Sequence, residues 1–220
     1  MSEFENGKMS PWGYIIDAQT LPNLLNESEF SAFTGGKFIG DRRITANIPS
    51  ATASIRNYCG WHIAPNLTCG ALFNIHDLKD AFVGSDLNVQ LPATFITSID
   101  KIIVNAKLNA GTGEYEGDEL TDFDIIGKGL VKVYDVGARD RKARIFIKYK
   151  AGFSLDDIAV IKELAANKVT HAVTNTYGVN SEAAGGVSVS YNSAWTGSGS
   201  TSFNDDSREV LDAYKVKGVY

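Results

Sequence analysis

Arg144-Ile145-Phe146-Ile147-Lys148-Tyr149-Lys150 is followed, after a short break, by a stretch running from Ser154 to about Val173. The change of period between the two decides the fold. In the first, Ile145, Ile147 and Tyr149 recur every second residue and share one face, while Arg144, Lys148 and Lys150 flank Phe146 on the other, which is the signature of a strand. In the second, Leu155, Ile158, Ile161, Ala165, Val169 and Ala172 recur at steps of three and four, which makes one apolar stripe on a helix. Ser154 with Asp157 offers a weaker form of the Ser-x-x-Glu box to open that helix, and Asn175 to Gly178 closes it.

Upstream of this junction the pattern is that of strands, from about residue 68 to 150. Phe73 and Ile75 alternate with polar neighbours, Ile96 to Leu108 is dense in β-branched residues, and Leu130 to Tyr134 alternates again. The Gly-rich and acidic breaks at 109–119 and 135–142 read as hairpin connections. Further upstream the period is helical. Glu27 to Phe33 is a short helix stopped by Gly35-Gly36, and Asp41 caps a run through Arg42, Arg43, Ile44 and Ala46. Pro49 stands where a second helix could begin, since its missing N–H costs little in a first turn. Ala51, Ile55 and Tyr58 continue from there to a stop at Gly60. Residues 1–28, punctuated by Pro11, Gly13 and Pro22, read as an irregular arm that packs on a neighbour or back on its own domain.

Downstream, Val187, Val189 and Tyr191 suggest one more short strand, and residues 192–202 read as a Ser/Gly/Thr-rich loop. A helix from about Asn204 to Tyr214 leads into an extended tail. The expected architecture is α+β, a small helical bundle with an inserted β-rich region. In numbers, that is an arm at 1–28, the first part of the helical core at 29–67, the insertion at 68–150, the second part of the core at 151–214 and a tail at 215–220.

Composition narrows the function classes. With 220 residues, 44% apolar and 21% charged, the chain can bury a core without staples. A net charge of -5 disfavours a surface that coats nucleic acid, because gripping phosphates needs clustered Lys and Arg. Met1 to Ser10 lacks the basic flank and apolar core of a secretion signal, and no apolar run spans a bilayer, so folding in a reducing, cytosolic setting is expected.

Candidate chemistry is sparse. Cys59, His62, Cys69 and His76 form a complete tetrahedral zinc set by type, but their spacing follows no common finger. The alternative is a buried Cys59, a His62 bonded to backbone, and Cys69 and His76 merely nearby; a Cys59–Cys69 disulfide is a third reading. Glu114, Glu116, Asp118, Glu119, Asp122 and Asp124 could hold a divalent cation or divide acid and base roles. They lack the order of a calcium loop, nothing nearby suggests a substrate, and a solvated hairpin end explains them. Arg139, Arg141, Lys142 and Arg144 form a dense basic patch at an expected hairpin, facing solvent, an acidic partner or DNA. His171 sits near a helix C-terminus, where the dipole favours it. No nucleophile elbow and no phosphate loop appears.

One segment is more specific: Ala51-Thr-Ala-Ser-Ile-Arg-Asn-Tyr-Cys-Gly-Trp-His-Ile-Ala-Pro65. A helix running into Cys-Gly-Trp-His-Ile-x-Pro resembles the head–tail connector (adaptor, or head-completion) proteins of tailed bacteriophages. Phe33 to Asp41 looks like the lead-in of the same family. Leu91-Pro92 with Ile99 to Val104, Ser181 to Tyr191, and Leu211-Asp-Ala-Tyr214-Lys215 follow in the family's order. The acidic stretch 114–124 and the loop 192–202 depart from that pattern. The resemblance implies a structural subunit, with no enzymatic activity and no cofactor. Copies would form a ring, usually of twelve, docked on the portal protein, extending the DNA channel and offering a platform to the next connector, stopper or tail component. DNA would pass without sequence-specific binding, the site would be the head–tail interface of the virion, and assembly would occur in the host cytoplasm. The tail would then supply portal or neighbour contacts through Tyr214, Lys215, Val216, Lys217, Val219 and Tyr220, adding as a strand to a partner or lying in its groove, the alternative being a frayed chain end. The 139–144 basic hairpin would face the channel or a partner. Within the motif, Trp61 is expected to anchor the core. The competing readings are a metal-dependent enzyme and another virion component, for decoration or tail completion.

Overall fold

The strand Arg144–Ala151 lies inside a six-stranded sheet, paired on both sides. A computed structural model describes Phe4 and residues 7–136, 143–174, 181–184, 187–190 and 203–216. It is an α+β chain made of two compact units. One comprises Pro22–Cys59 and Leu155–Lys215, the other Met1–Leu21, Gly60–Ser154 and Val216–Tyr220. The segment between Cys59 and Leu155 is thus an insertion in the helical unit.

The helical unit begins with α1 (Glu27–Phe33), which opens on a capping box missed in the sequence: Asn26 accepts from the Glu29 N–H, and the Glu29 carboxylate accepts from the Asn26 N–H, each at 2.9 Å. Helix α2 runs unbroken from Arg42 to Cys59 with Pro49 inside it, so no second helix starts at the proline. Asp41 opens it by accepting the Arg43 N–H at 2.9 Å. The physical reason for continuity is the buried face: Ile44, Ile48, Ala51, Ile55 and Cys59 hold one line across the proline. Burying each of the three isoleucines contributes about 1.5–3 kcal/mol, together enough to offset the roughly 3 kcal/mol that an interior proline costs.

After Ser154 the chain makes one 3-10 turn, Leu155–Asp157, before α3 (Ala159–Thr174). The α-helix therefore starts later than the Ser154 cap implied. Its stripe is Ile161, Ala165, Val169 and Val173; Ala172 faces solvent. The ion pair of Lys162 with Glu29 joins α3 to α1. A hairpin of β11 (Ser181–Ala184) and β12 (Val187–Ser190) stands where one strand was expected. The unit closes with α4 (Asp205–Asp212), capped by Asn204.

In the β unit, residues 7–9 and 15–17, expected in an irregular arm, are strands. Strands β1 (Gly7–Met9) and β2 (Ile15–Asp17) pair with each other, and β2 pairs with β3 (Leu67–Asn74). The sheet continues through β10 (Arg144–Ala151) and β6 (Ile96–Leu108) to β7 (Tyr115–Leu120), in the order β1-β2-β3-β10-β6-β7. Antiparallel register puts Ile147 opposite both Ala71 and Ile102, which assembles one buried face. On the other face Phe146 is also fully buried, with Ile103, Ala106 and Phe4. Phe4 lies over the sheet because Gly70 leaves room: a Cβ there would fall 2.5 Å from the Phe4 ring. The 109–119 break is shorter than expected, since Tyr115–Leu120 is a strand. A second sheet, β4-β5-β9-β8, comprises β4 (Phe82–Val83), β5 (Asp86–Gln90), β9 (Leu130–Val133) and β8 (Phe123–Gly127). Leu87, Val89, Val131 and Val133 are buried on it at 0% exposure. No helix among the described residues is long and apolar enough to cross a membrane.

Candidate functional site

Within the β unit, Trp61 to Ala64 of the Cys-Gly-Trp-His-Ile-Ala-Pro segment form a buried joint. Gly60 ends α2 with φ +77, Ile63 has φ +64, and the Ala64–Pro65 bond is cis. This contorted path turns Trp61, His62 and Ile63 inward, all at 0% exposure. His62 is held from both sides. The Tyr14 hydroxyl lies 2.9 Å from Nδ1 and also accepts the His62 backbone N–H at 3.1 Å; Nε2 lies 3.0 Å from the Ala151 carbonyl. A carbonyl can only accept, so Nε2 carries the proton and Nδ1 accepts from Tyr14. The Phe153 N–H donates to the Ile63 carbonyl at 2.8 Å, and the Gly152 N–H to the Phe95 carbonyl at 3.1 Å. Where the chain enters the β unit and where it leaves are thereby tied side by side. This constellation resembles chemistry by residue type, but its buried, mutually bonded atoms act as a fastener. Trp61 packs against Phe153, with ring centres 6.1 Å apart, as a core anchor.

The remaining members of the zinc set go elsewhere. Cys59 donates to the Leu211 carbonyl at 3.7 Å and Cys69 to the Leu67 carbonyl at 3.6 Å. Burial, aided by Asp212 for the first and Asp17 for the second, pushes both thiols up to about 12. Both are free thiols, and His76 is exposed beside Asp77 at 3.5 Å. Among the described residues no three His, Cys, Asp or Glu side chains gather as a metal-holding group.

The acidic run is divided between two sheets. Glu116 accepts from Asn109 and Asp118 from Asn105, both at 2.7 Å, along β7 at the sheet edge. Asp124 on β8 accepts from the Tyr134 hydroxyl at 2.6 Å, and Lys132 lies 4.5 Å over the Tyr134 ring while pairing with Asp86. Charged edge strands resist unwanted pairing. Of the basic patch, Arg144 opens β10 opposite Asn74; Arg139, Arg141 and Lys142 lie outside the described residues.

The C-terminal candidates begin just past the end of α4. Tyr58 of α2 donates to Asp212 at 2.8 Å, packs edge-on to Phe203 at 5.3 Å, and carries the Lys215 ammonium 4.9 Å above its ring. Burial first, then the Asp212 carboxylate, raises the Tyr58 phenol above its ordinary value. Lys215 therefore lies on its own helical unit, Tyr214 and Val216 are half-buried, and Lys217, Val219 and Tyr220 lie outside the described residues. His171 on α3 is half-buried, and burial, then Lys168, lowers its pKa.

The sequence reading missed Tyr14 as the partner of His62 and Tyr58 as the seat of α4. Both are single aromatic residues whose partners lie far along the chain, so spacing carried no signal. It also missed the exposure of Phe33, the last residue of α1, and of Ile39 on the turn that follows, at 47% and 80%. No protein-family model matches the chain, and no curated protein matches it.

Proposed function

We propose that the protein is a structural subunit of a phage head–tail connector ring, docking on the portal, extending the DNA channel and carrying the next connector or tail component. The supporting observation is the joint at Trp61–Pro65, where the segment that most resembles the connector family marks the passage from helical unit to β insertion. The segment acts there through packing and hydrogen bonds, which suits a subunit whose task is shape. An acidic chain that does not grip phosphates suits a channel through which DNA must slide.

The test is disruption of the gene in its phage, followed by electron microscopy of the lysate. DNA-filled or leaking heads beside separate, complete tails are the expected result. Normal tailed particles would overturn the reading.

A further inference from the structure

The turn after α1 is built to present an apolar tip. Gly36 donates to the Ser31 carbonyl at 2.8 Å and Asp41 to the Phe38 carbonyl at 3.1 Å, while Phe38 packs inward on Phe30 with ring centres 6.0 Å apart. With Phe38 turned in, Ile39 turns out at 80% exposure and Phe33 stands beside the turn at 47%. The flanking charge is basic. Arg43 and Asp41 close on one another at 2.6 Å, leaving the excess with exposed Lys37 and Arg42.

The β6–β7 hairpin presents the opposite character. Residues 114–119 hold four carboxylates, against Lys107 on β6 opposite Glu116. Glu116, Asp118 and Glu119 are exposed on edge strand β7, and Leu108, opposite Tyr115 at the hairpin end, is 55% exposed. Each surface thus combines exposed apolar side chains with charge, and the two charges are opposite. A contact between two different patches of identical subunits is head-to-tail, and head-to-tail contacts generate rings when the rotation closes. Electrostatic complementarity sets the register and suppresses wrong pairings.

We propose that the Phe33–Arg42 turn of one copy docks on the acidic β6–β7 hairpin of the next, Ile39 seating against Leu108 while Lys37 and Arg42 face the β7 carboxylates. This rests on the connector reading and identifies the surfaces by which its copies meet. It also gives the acidic stretch, which departs from the family pattern, a partner within the assembly.

The experiment mixes two full-length variants, Ile39→Cys and Leu108→Cys, at high concentration under a mild oxidant. The native thiols are buried, so they contribute little background. The expected result is a cross-linked dimer in the mixture, several-fold above either variant alone and above a mixture in which Ala53→Cys, on the exposed side of α2, replaces Ile39→Cys. The yield should fall in high salt, which screens exposed charges, and on adding Lys37→Glu and Arg42→Glu to the Ile39→Cys chain. No dimer above the control, equal dimer from one variant alone, or indifference to charge reversal would each overturn this contact. The gene-disruption result is independent of the cross-link, so failure of the contact and failure of the connector reading are separable.

Discussion

Tyr149 and Tyr14 show how differently two buried phenols can behave. The Tyr149 hydroxyl is fully enclosed with no hydrogen-bond partner among the described residues, and burial first, then Cys69 and Tyr14, drives its pKa well above the ordinary value. Replacing it by Phe removes an unsatisfied group, so Tyr149→Phe should be neutral or stabilising by up to about 1 kcal/mol in urea unfolding. Tyr14→Phe should instead cost about 1–3 kcal/mol, because it leaves His62 Nδ1 and a buried backbone N–H unpaired. Glu29 supplies the pH dependence. Burial works to raise its carboxyl, but the Lys162 ammonium and the Asn26 N–H outweigh it and hold the pKa below the ordinary value. A carboxyl depressed in the folded state stabilises fully above its unfolded pKa, and that contribution is lost as pH falls through the folded value. Glu29→Gln should therefore lower stability at neutral pH by up to about 1 kcal/mol, with the difference from wild type closing in acid. Thermal melts across the acid range read this directly.

At the scale of elements, α2 is legible except at Pro49. A proline suggests a helix start because its missing N–H is harmless there, and the same residue inside a helix leaves the Thr45 carbonyl without its usual donor. The apolar line on both sides of Pro49 is what carries the helix through it. Pro49 is exposed, so Pro49→Ala should raise the melting temperature, adding roughly 1–3 kcal/mol. The joint gives the opposite case. Gly152 has φ +114, and a Cβ there would lie 2.3 Å from the Pro65 carbonyl oxygen and 2.9 Å from His62 Nε2. Gly152→Ala should destabilise by about 1–3 kcal/mol from the backbone alone, with a further loss from the clash, measured by chemical denaturation. β7 was read as part of a loop because its glycine and acids resemble one. Edge strands tolerate such residues because one side of the ladder meets solvent.

For the whole molecule, each unit carries one buried thiol, so the two cysteines report on the two units separately. Cys69 sits on β3 between β2 and β10. Cys59 sits at the end of α2, covered by the short α4 through Leu211. A strand bonded on both sides opens less readily than a helix end under an eight-residue helix. Both thiols should resist a thiol reagent at neutral pH in the native protein. With rising urea, Cys59 should label before Cys69, read by mass spectrometry of the peptides; the reverse order would show the helical unit to be the more protected.

Much was determined by sequence alone. Period-two alternation in Arg144–Lys150 and the three-and-four stripe from Leu155 to Ala172 identified β10 and α3, the stripe failing only at its two ends, because each element must line up its own apolar residues to bury them. The order of periods placed a β block between helices. Only tertiary structure decided that Phe146 would be covered by Phe4 from the far end of the chain. It also decided that His62 would lock to Tyr14 and Ala151 instead of joining Cys59, Cys69 and His76, and that Ile39 would point to solvent. These outcomes depend on which distant segments meet, and local spacing holds no record of a partner many residues away.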